Sequence, residues 1–170
     1  MELISTAYRD LNKEAHVRYP TFGRTSGRYA PIVLEMIKRY KPSSVLDYGC
    51  GKGMLGHELR HRIMQEWREY DPCIEGKDAK PEPADLVICT DVLEHVEPEH
   101  LDAVLDDLRR VTRERVFFVI ATRFASHQLA DGRNAHLIVE NDDWWLKRLS
   151  KQFKLIGGHG DERELTCLMS

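Results

Sequence analysis

The parts of this sequence able to do chemistry fall in three short groups. In the run VLDYGCGKG, Val45 to Gly53, Asp47 precedes a pair of alternate glycines, Gly49 and Gly51. TDVLEH, Thr90 to His95, brings Asp91, Glu94 and His95 within about one helical turn. His136, in DGRNAHLIVE, stands alone on a long irregular stretch. Glycines after a strand let backbone approach a ligand closely. An imidazole beside carboxylates is a candidate general base. Taken together, Asp91, Glu94, His95 and His136 make a donor set suited to a divalent metal such as Mg or Mn.

These groups need a scaffold to bring them together. SVLDYG, short, apolar and ending in glycine, reads as a buried strand, and Met54, Leu55, Leu59, Ile63 and Met64 follow it at helical spacing. EWREYD reads as a weaker strand. Between Asp71 and Ala84 the chain is too short for a crossover helix plus another strand, since a βαβ connection takes at least about 10 residues by itself. A third strand is therefore expected to be missing or vestigial. DLVICTDV is the strongest strand, followed by a helix from about Glu97 to Val111 and the strand RVFFVIAT. The long loop FASHQLADGRNAHLIVEN leads to a helix from about Asp142 to Lys151, then to FKLIGG and ELTCLM, joined by GHGDER in a hairpin-like connection. Upstream, Ile32, Leu34, Ile37 and Tyr40 give a helix that Pro42 stops. Residues 1–29 read as a polar, irregular segment placed to cover a site. The fold expected is α/β, a doubly wound, mostly parallel sheet with a C-terminal antiparallel hairpin, in one domain over 1–170. That topology puts Asp47, Thr90, Asp91 and the His136 loop at one edge of the sheet, where ligands bind.

The residues around the glycines narrow the choice of ligand. A dinucleotide fingerprint needs a third glycine where Met54 stands, and a phosphate-binding P-loop needs Ser or Thr after Lys52, where Gly53 stands. Asp47 argues further against phosphate. A carboxylate about 4 Å from a phosphate costs on the order of 4 kcal/mol at an effective dielectric near 20, whereas an ammonium reverses the sign. A ligand with adenosine at one end, an amino acid at the other and no pyrophosphate fits, and S-adenosylmethionine (SAM) has that composition.

VLDYGCGKG resembles the first motif of class I SAM-dependent methyltransferases, and the resemblance runs from about Ser44 to Ser170, most specifically again along TDVLEHVEP. It implies that Asp47 and the backbone of Gly49, Cys50 and Gly51 hold the methionine part of the cofactor, with Thr90 and Asp91 beside them. Asp71, about 20 residues past the glycines, takes the place of the acid that accepts both ribose hydroxyls. Asp78 is the nearest match to the residue that contacts adenine. In this class the protein must align, desolvate and deprotonate the acceptor. His95, Asp91 and His136 are the candidates for those tasks. The set Asp91, Glu94, His95 and His136 is also similar to the metal set of methyltransferases acting on the 2′-hydroxyl at the 3′ end of small RNAs. Those show E-x-x-E-H and a later histidine, and here Asp91 replaces the first glutamate.

Around these groups, Arg123, Arg133 and Asn134 are placed to read an anionic or hydrogen-bonding acceptor. Tyr19, Phe22 and Tyr29 are placed to close over the site, and of the adjacent Trp144 and Trp145 only one can face the core. A net charge of −3 with both signs interspersed gives no footprint for duplex DNA or a membrane surface. The four cysteines show no metal or redox spacing, so a reduced, cytoplasmic protein is expected. A small molecule, a nucleotide or a nucleic-acid end suits so compact a domain as acceptor of the methyl group, at O or N. Two other classes compete with this reading: a SAM-binding scaffold subunit without activity, and a nicotinamide-dependent oxidoreductase, which Asp47 and the missing third glycine disfavour.

Overall fold

Val45, Leu46, Val87 and Ile88 have no exposed surface, which is why their segments become the centre of the sheet rather than its edge. The computed structural model describes residues 2–170. Its strands are β1 (Ser44–Tyr48), β2 (Glu66–Tyr70), β3 (Ala84–Thr90), β4 (Thr112–Ala121), β5 (Leu155–Gly160) and β6 (Glu164–Met169). They form one six-stranded sheet in the order β2-β1-β3-β4-β6-β5. The first four pair in parallel, and β6 and β5 pair antiparallel. From β1 the chain moves outward to β2, then crosses back to β3 and on to β4. The reversal lies between β1 and β3, and their carboxyl ends open the crevice there. Residues 71–83 contain no strand, so the third strand is missing, as the short connection led us to expect.

Alternation along β1 assigns its two faces. Val45 packs with Val33, Ile37, Leu55 and Leu59 of α2 (Ala30–Tyr40) and α3 (Met54–Leu59). Leu46 packs with Leu105, Leu108 and Trp145 of α4 (Leu101–Val111) and α5 (Asp142–Leu149) on the other face. Two details differ from the sequence reading. Helix α3 stops at Leu59, leaving Met64 97 % exposed, and α2 turns Val33 and Met36 inward while Ile32 faces out.

The largest difference lies at the N-terminus, where residues read as irregular form a helix, α1 (Thr6–Arg18). Ser5 caps it by accepting from the Tyr8 amide, and Ile4, Tyr8 and Ala15 are buried along one side. These three cluster with Cys73, Leu129 and Ala135, so a small separate core ties the N-terminus to the segment after β2 and to the long loop.

Candidate active site

A cavity of about 410 Å³ opens at the carboxyl ends of β1 and β3, beneath α1. Its floor is the glycine loop. Gly49 and Gly51 both have positive φ, and the Gly49 and Cys50 amides donate to the Tyr70 carbonyl at 2.7 and 3.0 Å. A Cβ on Gly49 would collide with the Val92 side chain, and one on Gly51 would sit 2.7 Å from the Gly23 carbonyl oxygen. Neighbouring atoms as well as φ therefore require glycine at both positions.

Asp71 borders this floor. One carboxylate oxygen accepts from the Gly51 amide at 2.9 Å and the other from the Cys73 amide at 2.9 Å. Each oxygen keeps a second lone pair for a ligand hydroxyl.

Asp47 is elsewhere. It shares the Val45 face of β1, opposite Glu69, and lies buried below the loop without lining the cavity. Burial, reinforced by the Glu69 charge, pushes its pKa up to about 8, and Oδ2 has no partner. Strand alternation is the reason: the residue two before Gly49 points down toward α3. Asp78 is exposed and also outside the cavity; Pro72 and Cys73 of the same segment line it instead.

Thr90, buried with Oγ1 unpartnered, and Asp91 form the opposite wall. Asp91 adopts φ 55°, uncommon for a residue with a side chain. The Thr25 hydroxyl donates to its carboxylate at 2.7 Å, and Arg28 lies 3.6 Å away. Glu94 is fully buried. One carboxylate oxygen accepts from the Ala121 amide at 2.9 Å, the other has no partner, and burial with the nearby Asp91 charge pushes its pKa up to about 8.

The rings of His95 and His136 meet edge to face with centroids 4.7 Å apart. Each Nδ1 lies within hydrogen-bonding distance of a backbone carbonyl, Ala135 for His95 and Arg123 for His136. Nδ1 is thereby assigned as the N–H donor, leaving Nε2 with the lone pair. His95 is half-buried at the cavity wall, and burial with the neighbouring His136 brings its pKa down to about 3. His136, nearer the surface, is also lowered by burial. The structure thus brings Glu94, His95 and His136 together, with donor atoms all within 4.8 Å of one another, but leaves Asp91 out of that group.

The helix and the hydrogen bonds that form the roof were not visible to motif reading. The Tyr8 hydroxyl donates to the His95 carbonyl at 2.6 Å, and the Ser5 amide and hydroxyl donate to Glu97 at 2.8 and 2.6 Å. Phe22 packs edge-on to both His16 and His95. The signal available was the Tyr8, Leu11, Ala15 spacing after a serine cap, with Ile4 just before it.

Among the other expected contacts, Arg123 lines the cavity, whereas Arg133 pairs with Asp131 at 2.7 Å. Asn134 spends its amide on Ala125 and His136 backbone, so it shapes the loop. Tyr19 stacks on His127, Tyr29 is buried beside Arg28, Trp145 is in the core and Trp144 lines a different cleft.

An open α/β sheet with two antiparallel closing strands, a glycine floor without phosphate-binding features and an acid after β2 define the class I methyltransferase architecture. A family model described as a methyltransferase domain matches residues 22–159. The chain belongs to that family and is a SAM-dependent methyltransferase. No curated protein matches the sequence. Among solved structures, the chain is similar to 1,6-didemethyltoxoflavin-N1-methyltransferase of Burkholderia thailandensis, which holds 1,6-didemethyltoxoflavin and S-adenosylhomocysteine. Identity there is 16 %, the match covers 99 % of this chain and 91 % of that one, and the TM-score is 0.68. DhpI in complex with S-adenosylhomocysteine shares 20 % identity over 97 % of this chain and 93 % of that chain, TM-score 0.57. The methyltransferase domain of bacterial CtHen1-C shares 17 % over 85 % and 97 %, TM-score 0.59. Among the described residues no helix is long and apolar enough to cross a membrane.

Proposed function

We propose that the cavity binds SAM with its methionine part over Gly49–Gly51, its ribose hydroxyls on Asp71 and its adenine beside Pro72, Cys73 and Val92. The acceptor, a small molecule, nucleotide or nucleic-acid end, then enters on the side of His95, His136 and Arg123. One observation carries this reading: a single cavity is bordered by the Asp71 carboxylate, suited to a ribose, and by two imidazoles whose tautomers are fixed.

Bound SAM supplies a methyl group on a sulfonium. His136 Nε2 takes the proton from the acceptor O–H or N–H as the new bond to carbon forms and the carbon–sulfur bond breaks, its electron pair remaining on sulfur. His95, its pKa held near 3, stays neutral and orients the acceptor by accepting a hydrogen bond. Tyr8, Phe22 and the rest of the N-terminal segment exclude water. The test is calorimetric SAM binding, followed by labelled-methyl transfer to a panel of small heterocycles, nucleotides and short RNAs. No transfer to any acceptor despite tight binding would support a scaffold role instead.

A second reading rests on Glu94, His95 and His136 as ligands of a divalent metal. The chemistry of the set fits: the unpartnered Glu94 oxygen and two Nε2 lone pairs, each imidazole oriented by a carbonyl on its other nitrogen. Such a metal would act as a Lewis acid toward an acceptor hydroxyl, suiting an RNA 3′-terminal 2′-hydroxyl. Transfer abolished by EDTA and restored by Mn²⁺ would favour it.

A further inference from the structure

His136 borders two cavities. Besides the one described, it forms a wall of a cleft of about 420 Å³ between the long loop and α5. We infer that this cleft is a subsite for a planar, uncharged ring of the acceptor, joined to the reaction site across His136. The inference rests on reading the first cavity as the place of methyl transfer.

The volume falls in the range of small-molecule sites rather than of a docked protein segment. Its base is apolar, with Leu101 and Ile138, and two aromatic rings stand at its sides. Phe124 is 70 % exposed, an aromatic ring left bare beside the residue whose carbonyl orients His136. Trp144 is held in place: its amide donates to the Asn141 side chain at 2.9 Å, and its ring meets Trp145 edge to face at 5.0 Å. Two aromatic rings lining one cleft, with the Arg148 guanidinium 5.9 Å from the Trp144 ring centroid, favour a flat π-system over an aliphatic chain. The rim offers no free cation to an anionic ring among the described residues, because Arg148 is already paired with Asp102 at 2.7 Å. The acceptor is thereby narrowed to a molecule with a heterocycle or nucleobase attached to, or next to, the part that receives the methyl group.

The test uses protein saturated with S-adenosylhomocysteine, so that the adenine position is filled. It is titrated by calorimetry with quinoxaline, a flat neutral heterocycle, and with cyclohexanemethanol, which is not flat. Quinoxaline is expected to bind and to shift the His136 imidazole NMR signal, assigned through His136→Gln. Phe124→Ala and Trp144→Leu should each weaken it about tenfold, as expected for loss of one stacking contact, with S-adenosylhomocysteine affinity unchanged. Phe124 is exposed, so its variant separates ring binding from folding. Equal quinoxaline affinity in both variants, or equal affinity for the two probes, would overturn the inference. So would a wild-type dimer that Phe124→Ala dissociates, since a second copy would then be the occupant. Failure to bind S-adenosylhomocysteine would instead count against the cofactor site, and quinoxaline titration of the cofactor-free protein would still report on the cleft.

Discussion

Gly23 and Gly51 meet backbone to backbone: the Lys52 amide donates to the Gly23 carbonyl at 2.9 Å, and a Cβ on Gly51 would lie 2.8 Å from the Gly23 Cα. The N-terminal segment and the glycine loop are therefore seated on each other, with no side chain between them. Closing the roof and shaping the floor become one event.

Gly51→Ala should separate them. The substitution strains a φ of 52°, costing roughly 1–2 kcal/mol, and pushes the Gly23 turn away. SAM affinity is expected to fall at least about tenfold, the energy of such a strain, and trypsin should cut faster at Arg24. Gly157→Ala, where a Cβ meets nothing within 4 Å, is the control and should change neither. Unaltered affinity in Gly51→Ala would show that the covering segment is not needed for cofactor binding.

The two acids of the glycine-loop region should behave oppositely. Asp71→Ala strands the Gly51 and Cys73 amides and removes the ribose acceptor, and each buried unpaired group costs about 1–3 kcal/mol. SAM affinity should drop by more than about thirtyfold, on the lower end of that cost. Asp47→Asn preserves shape at a residue that does not line the cavity, and affinity should stay within about threefold, under 1 kcal/mol. A loss with Asp47→Asn as large as with Asp71→Ala would put the Asp47 charge back into cofactor recognition.

The same residue makes stability depend on pH. Folding raises the Asp47 pKa from an ordinary carboxylate value of 3.8 to about 8, so between those values the folded state holds a proton that the unfolded chain has released. Stability is then fully present below pH 4 and is lost progressively as pH rises through 8. Urea midpoints for wild type and Asp47→Asn should diverge in that direction from pH 5 to 8, with the variant gaining relative stability. A constant difference across that range would mean that Asp47 is charged in the folded protein.

How much of this was legible follows from which residues recur with a period or a motif. The sheet was readable because Val45–Leu46 and Val87–Ile88 are apolar on both faces, and the missing third strand because 71–84 is too short to hold one. The glycine floor was readable because its spacing is local. Three things were not. Motif reading places Asp47 near a ligand without saying which way it points, and the Glu69, Lys77 and Arg60 charges that act on it come from other segments. Asp91 looks equivalent to Glu94 in the sequence, yet Thr25 and Arg28 from the N-terminal segment engage it. Helix α1 is weakly amphipathic, and its hold on the site comes from single hydrogen bonds such as Tyr8 to His95, which no spacing predicts.

His95 and His136 invite a division of labour. Both line the same cavity with Nδ1 engaged by a carbonyl, but burial holds His95 near pKa 3, too weak a base to accept a proton from an acceptor at neutral pH. His136, less deeply buried and oriented by the Arg123 carbonyl, is the stronger base. His136→Ala should leave SAM affinity unchanged and lower kcat by about 10²–10⁴, the usual contribution of a general base. Because burial lowers the His136 pKa, the wild-type rate should hold as pH falls past the ordinary histidine value of 6.5 and decline only below it. The variant should lose that acid limb. His95→Asn should act mainly on acceptor KM and keep the limb. If EDTA reproduces the His136→Ala defect and Mn²⁺ reverses it in the wild type alone, the imidazoles serve a metal with Glu94, and the acid limb then reports proton competition for the ligands rather than a base.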